Sequence, residues 1–261
     1  MQPATLAGAR PDVPAALSYR DALRRLRTAQ KPAGRGAPAY SIYVNRPLGR
    51  LIAAAAYRLG WTPNGVTAVS AGFTFVAVAL LAAVPSSWAL GIVIAVLLAA
   101  GYAFDSADGQ LARLRGGGTA AGEWLDHVVD AVKVVALHSA VLIAAARFLP
   151  DAQRGWLLLP IAFTVVNSVS FAVFLLNDLL RAARLRAETT SVIRGGSTPL
   201  RSLLGLPTDY GLLIWVFVLL GAPALFLGVY GLLLLASAAY LVVALPKWFR
   251  DMTALDQERS R

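Results

Sequence analysis

Asp105, Asp108, Asp126 and Asp130 fall close together in a chain with only 14 acidic residues, and their spacing could do chemistry. Read as helix, Asp105, Asp108, Gly109, Ala112 and Arg113 lie at i, i+3, i+4, i+7 and i+8, which is one stripe. Gly122, Asp126, Asp130 and Lys133 lie at i, i+4, i+8 and i+11, again one stripe. The triplet Gly116-Gly117-Gly118 between them is a turn signal, so two helices can face each other and bring four carboxylates together. Such a group repels itself unless cations compensate. The chain has no cysteine, which leaves hard oxygen ligands and selects Mg2+ or Mn2+, ions that join carboxylates to substrate phosphates. A diphosphate is the natural partner: Gly109 and Gly122 let a ligand approach the helix backbones, and Arg113 offers a guanidinium fork. Any one of these aspartates alone reads equally well as a helix cap or a surface charge. All four on two stripes flanking one turn do not.

The elements that must carry these residues are membrane helices. The chain of 261 residues is 57% hydrophobic and 15% charged, with a mean hydropathy of +0.62, too apolar for an ordinary soluble domain. Apolar stretches of spanning length lie near 63–85, 87–104, 131–149, 155–177, 208–222 and 224–246, the fifth short and closed by Gly221-Ala222-Pro223. Residues 45–60 show an apolar face interrupted by Arg46, Arg50 and Arg58, the pattern of a helix lying in the interface. Ser18 to Lys31 reads either as a short basic helix on an anionic membrane surface or as part of a basic tail. The expected fold is therefore an all-α integral membrane protein with six transmembrane helices and an N-terminal interfacial amphipathic helix. Its expected divisions are a basic tail over 1–44, a membrane domain over 45–248 and a C-terminal tail over 249–261. A helix from Trp88 to Arg115 would be about 40 Å long against a hydrocarbon core of about 30 Å, which puts its aspartates at one membrane boundary.

The net charge of +10 suggests nucleic acid only until the basic residues are located. With six spans and a cytosolic N-terminus, 21 of the 24 Lys and Arg lie in cytosolic segments and two, Arg147 and Arg154, lie outside. This positive-inside asymmetry accounts for the charge without a nucleic-acid partner and places both termini in the cytosol. The first forty residues hold no apolar core of signal-peptide length, so no cleaved leader is expected. Intramembrane carboxylates also mark ion pathways, so a divalent-cation transporter is the rival from another class. Against it, the aspartates gather at one face, and no repeat or broken-helix pair is evident. His127 lies off the aspartate stripe and His138 within the third span, where a hydrogen bond to a neighbouring helix is the expected role. Asn167, Ser168 and Ser170 are expected to serve helix packing.

The pattern D-x-x-D-G-x-x-A-R, eight residues, then G-x-x-x-D-x-x-x-D, met by Asp105, Asp108, Gly109, Ala112, Arg113, Gly122, Asp126 and Asp130, resembles the signature of the CDP-alcohol phosphotransferase family. Thr62-Pro63-Asn64-Gly65-Val66-Thr67 is similar to a segment that opens the first span in many members. The resemblance implies a dimeric six-helix enzyme of the cell membrane, with its active site on the cytosolic side and two divalent cations. It implies that Asp105, Asp108 and Asp126 bind metal, that Asp130 is the base while also touching metal, and that Gly109, Ala112, Arg113, Gly122 and Asn64 contact the CDP moiety. The implied reaction moves a phosphoalcohol group, here a phosphatidyl group from CDP-diacylglycerol, to an acceptor hydroxyl with release of CMP, in phospholipid biosynthesis. Lys133 and the basic residues from Arg181 to Arg201 are candidates to bind a phosphorylated acceptor, although positive-inside topology alone explains the loop. The run Gly122-Glu123-Trp124-Leu125-Asp126-His127 also resembles the G-E-x-x-D-H of choline and ethanolamine phosphotransferases, which makes CDP-aminoalcohol:diacylglycerol transfer the alternative.

Overall fold

The computed structural model describes residues 17–28, 38–150, 155–188 and 209–258. Every element among them is helical: α1 (Tyr19–Thr28), α2 (Arg46–Arg58), α3 (Pro63–Ala83), α4 (Trp88–Leu114), α5 (Ala120–Phe148), α6 (Leu158–Glu188), α7 (Tyr210–Val216) and α8 (Pro223–Glu258). A π-turn over Ser41–Asn45 leads into α2, and a 3₁₀ turn over Phe217–Gly221 continues α7. Local chemistry sets the starts. The hydroxyls of Thr62, Ser87 and Thr119 accept from the amides of Gly65, Leu90 and Gly122, and the Asp209 carboxylate accepts from Gly211, each meeting one orphan donor of a first turn. Pro63 follows its cap at the first helical position, where its missing N–H costs nothing.

Five helices are long and apolar enough to cross a membrane: Pro63–Ala83, Trp88–Leu114, Ala120–Phe148, Gly155–Arg184 and Pro223–Leu255. The chain is on that ground a multi-pass membrane protein. The expected stretch at 208–222 is a shorter apolar helical segment, Tyr210–Gly221. It runs beside α4: the Tyr210 ring meets Tyr102 edge-on at 5.1 Å, Gly91 lies against the Phe217 carbonyl, and Gly221 lies under the Trp88 ring. Its start is thus level with the middle of α4 and its end level with the first residue of α4.

Helix α4 is central, with α2, α3 and the α7 segment around it, while α3 also packs on α5, and α6 bridges α5 and α8. The main apolar core gathers Leu81, Ile94, Leu98, Leu137, Phe217 and Tyr230. A second core at the other end of α4 joins Ala22 and Leu26 of α1, Ala53, Ala54 and Ala56 of α2, Val66, and Ala107, Leu111 and Leu114 of α4. The expected basic helix within 18–31 thus forms as α1, and its apolar face is spent on protein rather than left for lipid. On α2 the opposite face carries the exposed side chains of Leu48 and Leu51, in keeping with an interfacial helix. Helix α8 runs without a break past residue 248, and Arg181 of α6 pairs with its Asp251 at 3.2 Å.

Candidate active site

The two signature stripes sit on helices α4 and α5, which are joined by a tight turn. Gly116 and Gly117 take φ of 101° and 137°, a backbone region that side chains disfavour, and this lets α5 start almost where α4 stops. The turn is anchored: Arg115 donates to the Trp61 carbonyl at 2.7 Å, and its guanidinium lies over the Tyr57 ring. Thr119 then caps α5, fixing the phase of its acidic stripe.

Carboxylate oxygens of Asp105, Asp126 and Asp130 all lie within 4.8 Å of one another, close enough to share a metal ion. Their residues are partly buried, and the donor set is all hard oxygen in a chain without thiols. Asp108, the fourth expected member, is not in this cluster. It is 5% exposed, and its Oδ2 accepts from the Thr67 hydroxyl at 2.6 Å while its Oδ1 accepts from the Gly109 amide.

The other expected site residues sit around this centre. The Arg113 guanidinium lies over Gly109, 3.6 Å from where a Cβ would be, and within electrostatic reach of Asp108 and of Arg46 from α2. Ala112, the residue before Arg113, is half-buried. Asn64, in the first turn of α3, has its side-chain oxygen 3.1 Å from a Cβ placed on Gly122, so a side chain at 122 would crowd the amide. Lys133 does not reach outward toward an acceptor. Its ammonium donates to Asp105, to Asp130 at 3.1 Å and to the Ser70 hydroxyl at 3.0 Å, which accounts for all three of its protons. Of the basic loop, Arg181 and Arg184 have described side chains, Arg186 is described only as part of the α6 backbone, and Arg194 and Arg201 lie outside the described residues.

Glu123 and His127 pair with each other at 4.0 Å on α5, outside the three-carboxylate cluster but within electrostatic reach of Asp126. Within the bundle, His138 bonds to Tyr230 at 2.6 Å and to Asn167 at 2.8 Å, as expected of a helix-joining histidine. Sequence reasoning assigned no role to Thr67 or Ser70. The available signal was Thr67, Ser70 and Thr74 at i, i+3 and i+7, a stripe of hydroxyls in an otherwise apolar span.

Comparison with known proteins gives the lineage of this arrangement. The model of the CDP-alcohol phosphatidyltransferase family matches residues 61–246, and the chain belongs to that family. A phosphatidylinositol phosphate synthase of Corynebacterium glutamicum is 45% identical over 87 residues, an alignment that spans about a third of each protein, 32% of this chain and 36% of the relative. Two solved structures of a Mycobacterium tuberculosis phosphatidylinositol phosphate synthase are similar in fold at 21% identity. One, with CDP-DAG bound, has a TM-score of 0.52 over 79% of this chain and 94% of its own. The other, in complex with manganese and citrate, has a TM-score of 0.50 over 79% of this chain and 89% of its own.

Proposed function

We propose that this member of the CDP-alcohol phosphatidyltransferase family transfers a phosphatidyl group from CDP-diacylglycerol to an acceptor hydroxyl and releases CMP. The observation that carries the reading is the convergence of Asp105, Asp126 and Asp130 within 4.8 Å at the end of the bundle where Arg113 and the side-chain-free Gly109 and Gly122 also lie. Asp105, Asp108, Asp126 and Asp130 are the residues that would hold two divalent cations, Mg2+ or Mn2+. Asp108, held by Thr67 through one carboxylate oxygen, keeps lone pairs free to join them. When bound, such ions neutralise charge on the diphosphate oxygens. Arg113 holds the diphosphate, Gly109, Ala112 and Gly122 give the nucleotide room against the helix backbones, and Asn64 closes that side of the pocket from α3. Asp130 accepts the proton of the acceptor hydroxyl as its oxygen bonds to the phosphorus distal to cytidine. The bond from that phosphorus to the CMP oxygen breaks, and no covalent enzyme intermediate is needed.

The names of the relatives make a phosphorylated inositol the first acceptor to test, with glycerol phosphate and serine as comparators. The alternative, CDP-aminoalcohol:diacylglycerol transfer, rests on the run Gly122 to His127, in which Glu123 and His127 pair with each other outside the three-carboxylate cluster. Release of CMP by the purified protein from CDP-diacylglycerol with each acceptor, with and without chelator, tests the reading. CMP release only from CDP-choline or CDP-ethanolamine with diacylglycerol would overturn it.

The same reading places the reaction in the domain over 45–248 and the aspartates and both termini in the cytosol, with Tyr210–Gly221 completing a short sixth crossing beside α4. Of the 24 Lys and Arg, 21 then lie on the cytosolic side. Single cysteines replacing Thr28 and Ser86 in this cysteine-free chain should label from opposite sides of a cell membrane, and labelling of both from outside overturns the topology. A homodimer fits the exposure of α6, whose apolar window is only 11% buried against 33–44% for the other spans.

A further inference from the structure

Helix α3 contributes no residue to the D-x-x-D-G…D-x-x-x-D pattern, yet it holds both halves of the acidic cluster. Thr67 and Ser70 lie one turn apart on its buried face, 4% and 0% exposed. The Thr67 hydroxyl has one proton and two acceptors in reach, the Pro63 carbonyl at 3.2 Å and Asp108 Oδ2 at 2.6 Å. The shorter, charge-assisted bond takes it. Ser70 donates its proton to the Gly101 carbonyl of α4 at 2.9 Å and accepts from the Lys133 ammonium at 3.0 Å. Lys133 passes that anchorage on to Asp105 and Asp130. The register is set just below, where a Cβ on Gly101 would lie 2.6 Å from Thr74 Oγ1, so α3 and α4 approach closely and bring the two hydroxyls level with Asp105 and Asp108.

We infer that Thr67 and Ser70 are positioning residues for the metal-binding carboxylates, Thr67 acting directly on Asp108 and Ser70 acting through Lys133 on Asp105 and Asp130. The inference rests on the metal-site reading above. A carboxylate with no fixed partner in an apolar bundle samples several rotamers, and each must be given up when a cation binds. One hydroxyl bond removes most of that freedom in advance. It follows that Lys133 serves the carboxylates and not the acceptor.

The test is Mn2+ binding to the purified full chain, followed by the loss of the free-ion paramagnetic resonance signal, beside the acceptor KM in the CMP-release assay. Thr67→Val keeps the shape and removes the donor, and should weaken Mn2+ binding by about tenfold or more, the range found when partners of metal ligands are removed. Thr67→Ser restores the donor and should restore binding. Ser70→Ala should weaken Mn2+ binding by a smaller factor. Lys133→Met should change Mn2+ affinity and leave the acceptor KM near that of the unaltered chain. Unchanged Mn2+ affinity in both Thr67→Val and Ser70→Ala, whatever their thermal stability, overturns the inference and leaves the hydroxyls as packing groups. So does failure of Thr67→Ser to restore binding. A raised acceptor KM in Lys133→Met with unaltered Mn2+ binding returns Lys133 to the acceptor. Absence of Mn2+ binding in the unaltered chain sinks the metal-site reading itself, a result distinct from any of these.

Discussion

Helix α5 carries two buried polar constellations about two turns apart, one centred on Asp130 and the other on His138, and they solve opposite problems. At Asp130, one ammonium pairs with two of three clustered carboxylates, so negative charge and acceptor lone pairs are left over. At His138, each ring nitrogen has a partner and no net charge is left over. The Asn167 amide donates to Nε2, which leaves the neutral ring to donate from Nδ1 to the Tyr230 hydroxyl, and the Phe163 ring stacks on the imidazole at 4.4 Å. His138 is 1% exposed and Tyr230 is fully buried, and the two are drawn from α5 and α8 with α6 between. A polar residue inside a membrane bundle is expensive in either case. What separates a site from a clasp is whether the local hydrogen-bond and charge inventory balances without a ligand.

The comparison breaks most easily at the acidic end. Asp126→Asn, or Asp108→Asn, should reduce CMP release to background while the protein stays folded in membranes, and full activity in either would show that the excess charge is not the site. Asp130→Asn should cost about 10²–10⁴-fold in turnover, the usual worth of a general base, with more Mn2+ binding retained than in Asp108→Asn. Equal loss of binding in the two variants, measured by calorimetry, would make Asp130 mainly a ligand. At the other end the expected effects are on stability. His138→Leu strands the Asn167 amide and the Tyr230 hydroxyl, and should lower the unfolding free energy in detergent by about 1–3 kcal/mol with turnover little changed. A dead but fully stable His138→Leu protein would mean that the clasp is part of the machinery. Tyr230→Phe removes one bond and leaves the ring packing, and should cost only about 0.5–1.5 kcal/mol.

The signature aspartates, the five long spans and the helix α2 were legible because each is written in local periodicity. The short sixth segment was less so. Its apolar run is long enough by composition, but the chain tightens into a 3₁₀ turn against Trp88 and stops at Pro223, and that tightening comes from a neighbouring helix. Asp108 shares a stripe with Asp105, yet its carboxylate turns to Thr67. The choice is made by how closely α3 approaches α4, which spacing along α4 does not encode. Lys133 looked like a free cation for an acceptor for the same reason: its partners Asp105 and Ser70 are far away in sequence. For residues 18–31 the sequence left open a short basic helix on a membrane surface or part of a basic tail. Ala22 and Leu26 settle that by packing against Leu111 and Leu114.

That last contact separates two boundaries that are easily taken as one. The family-matched region begins at residue 61, so α1 and α2 lie wholly before it. Yet they cover Val66 of α3 together with Ala107, Leu111 and Leu114, on the back of the helix whose front carries Asp108 and Arg113. The part matched as the inherited family region is therefore smaller than the unit that packs together. A fragment trimmed to the inherited part would keep every signature residue and bare an apolar patch directly behind them, inviting aggregation.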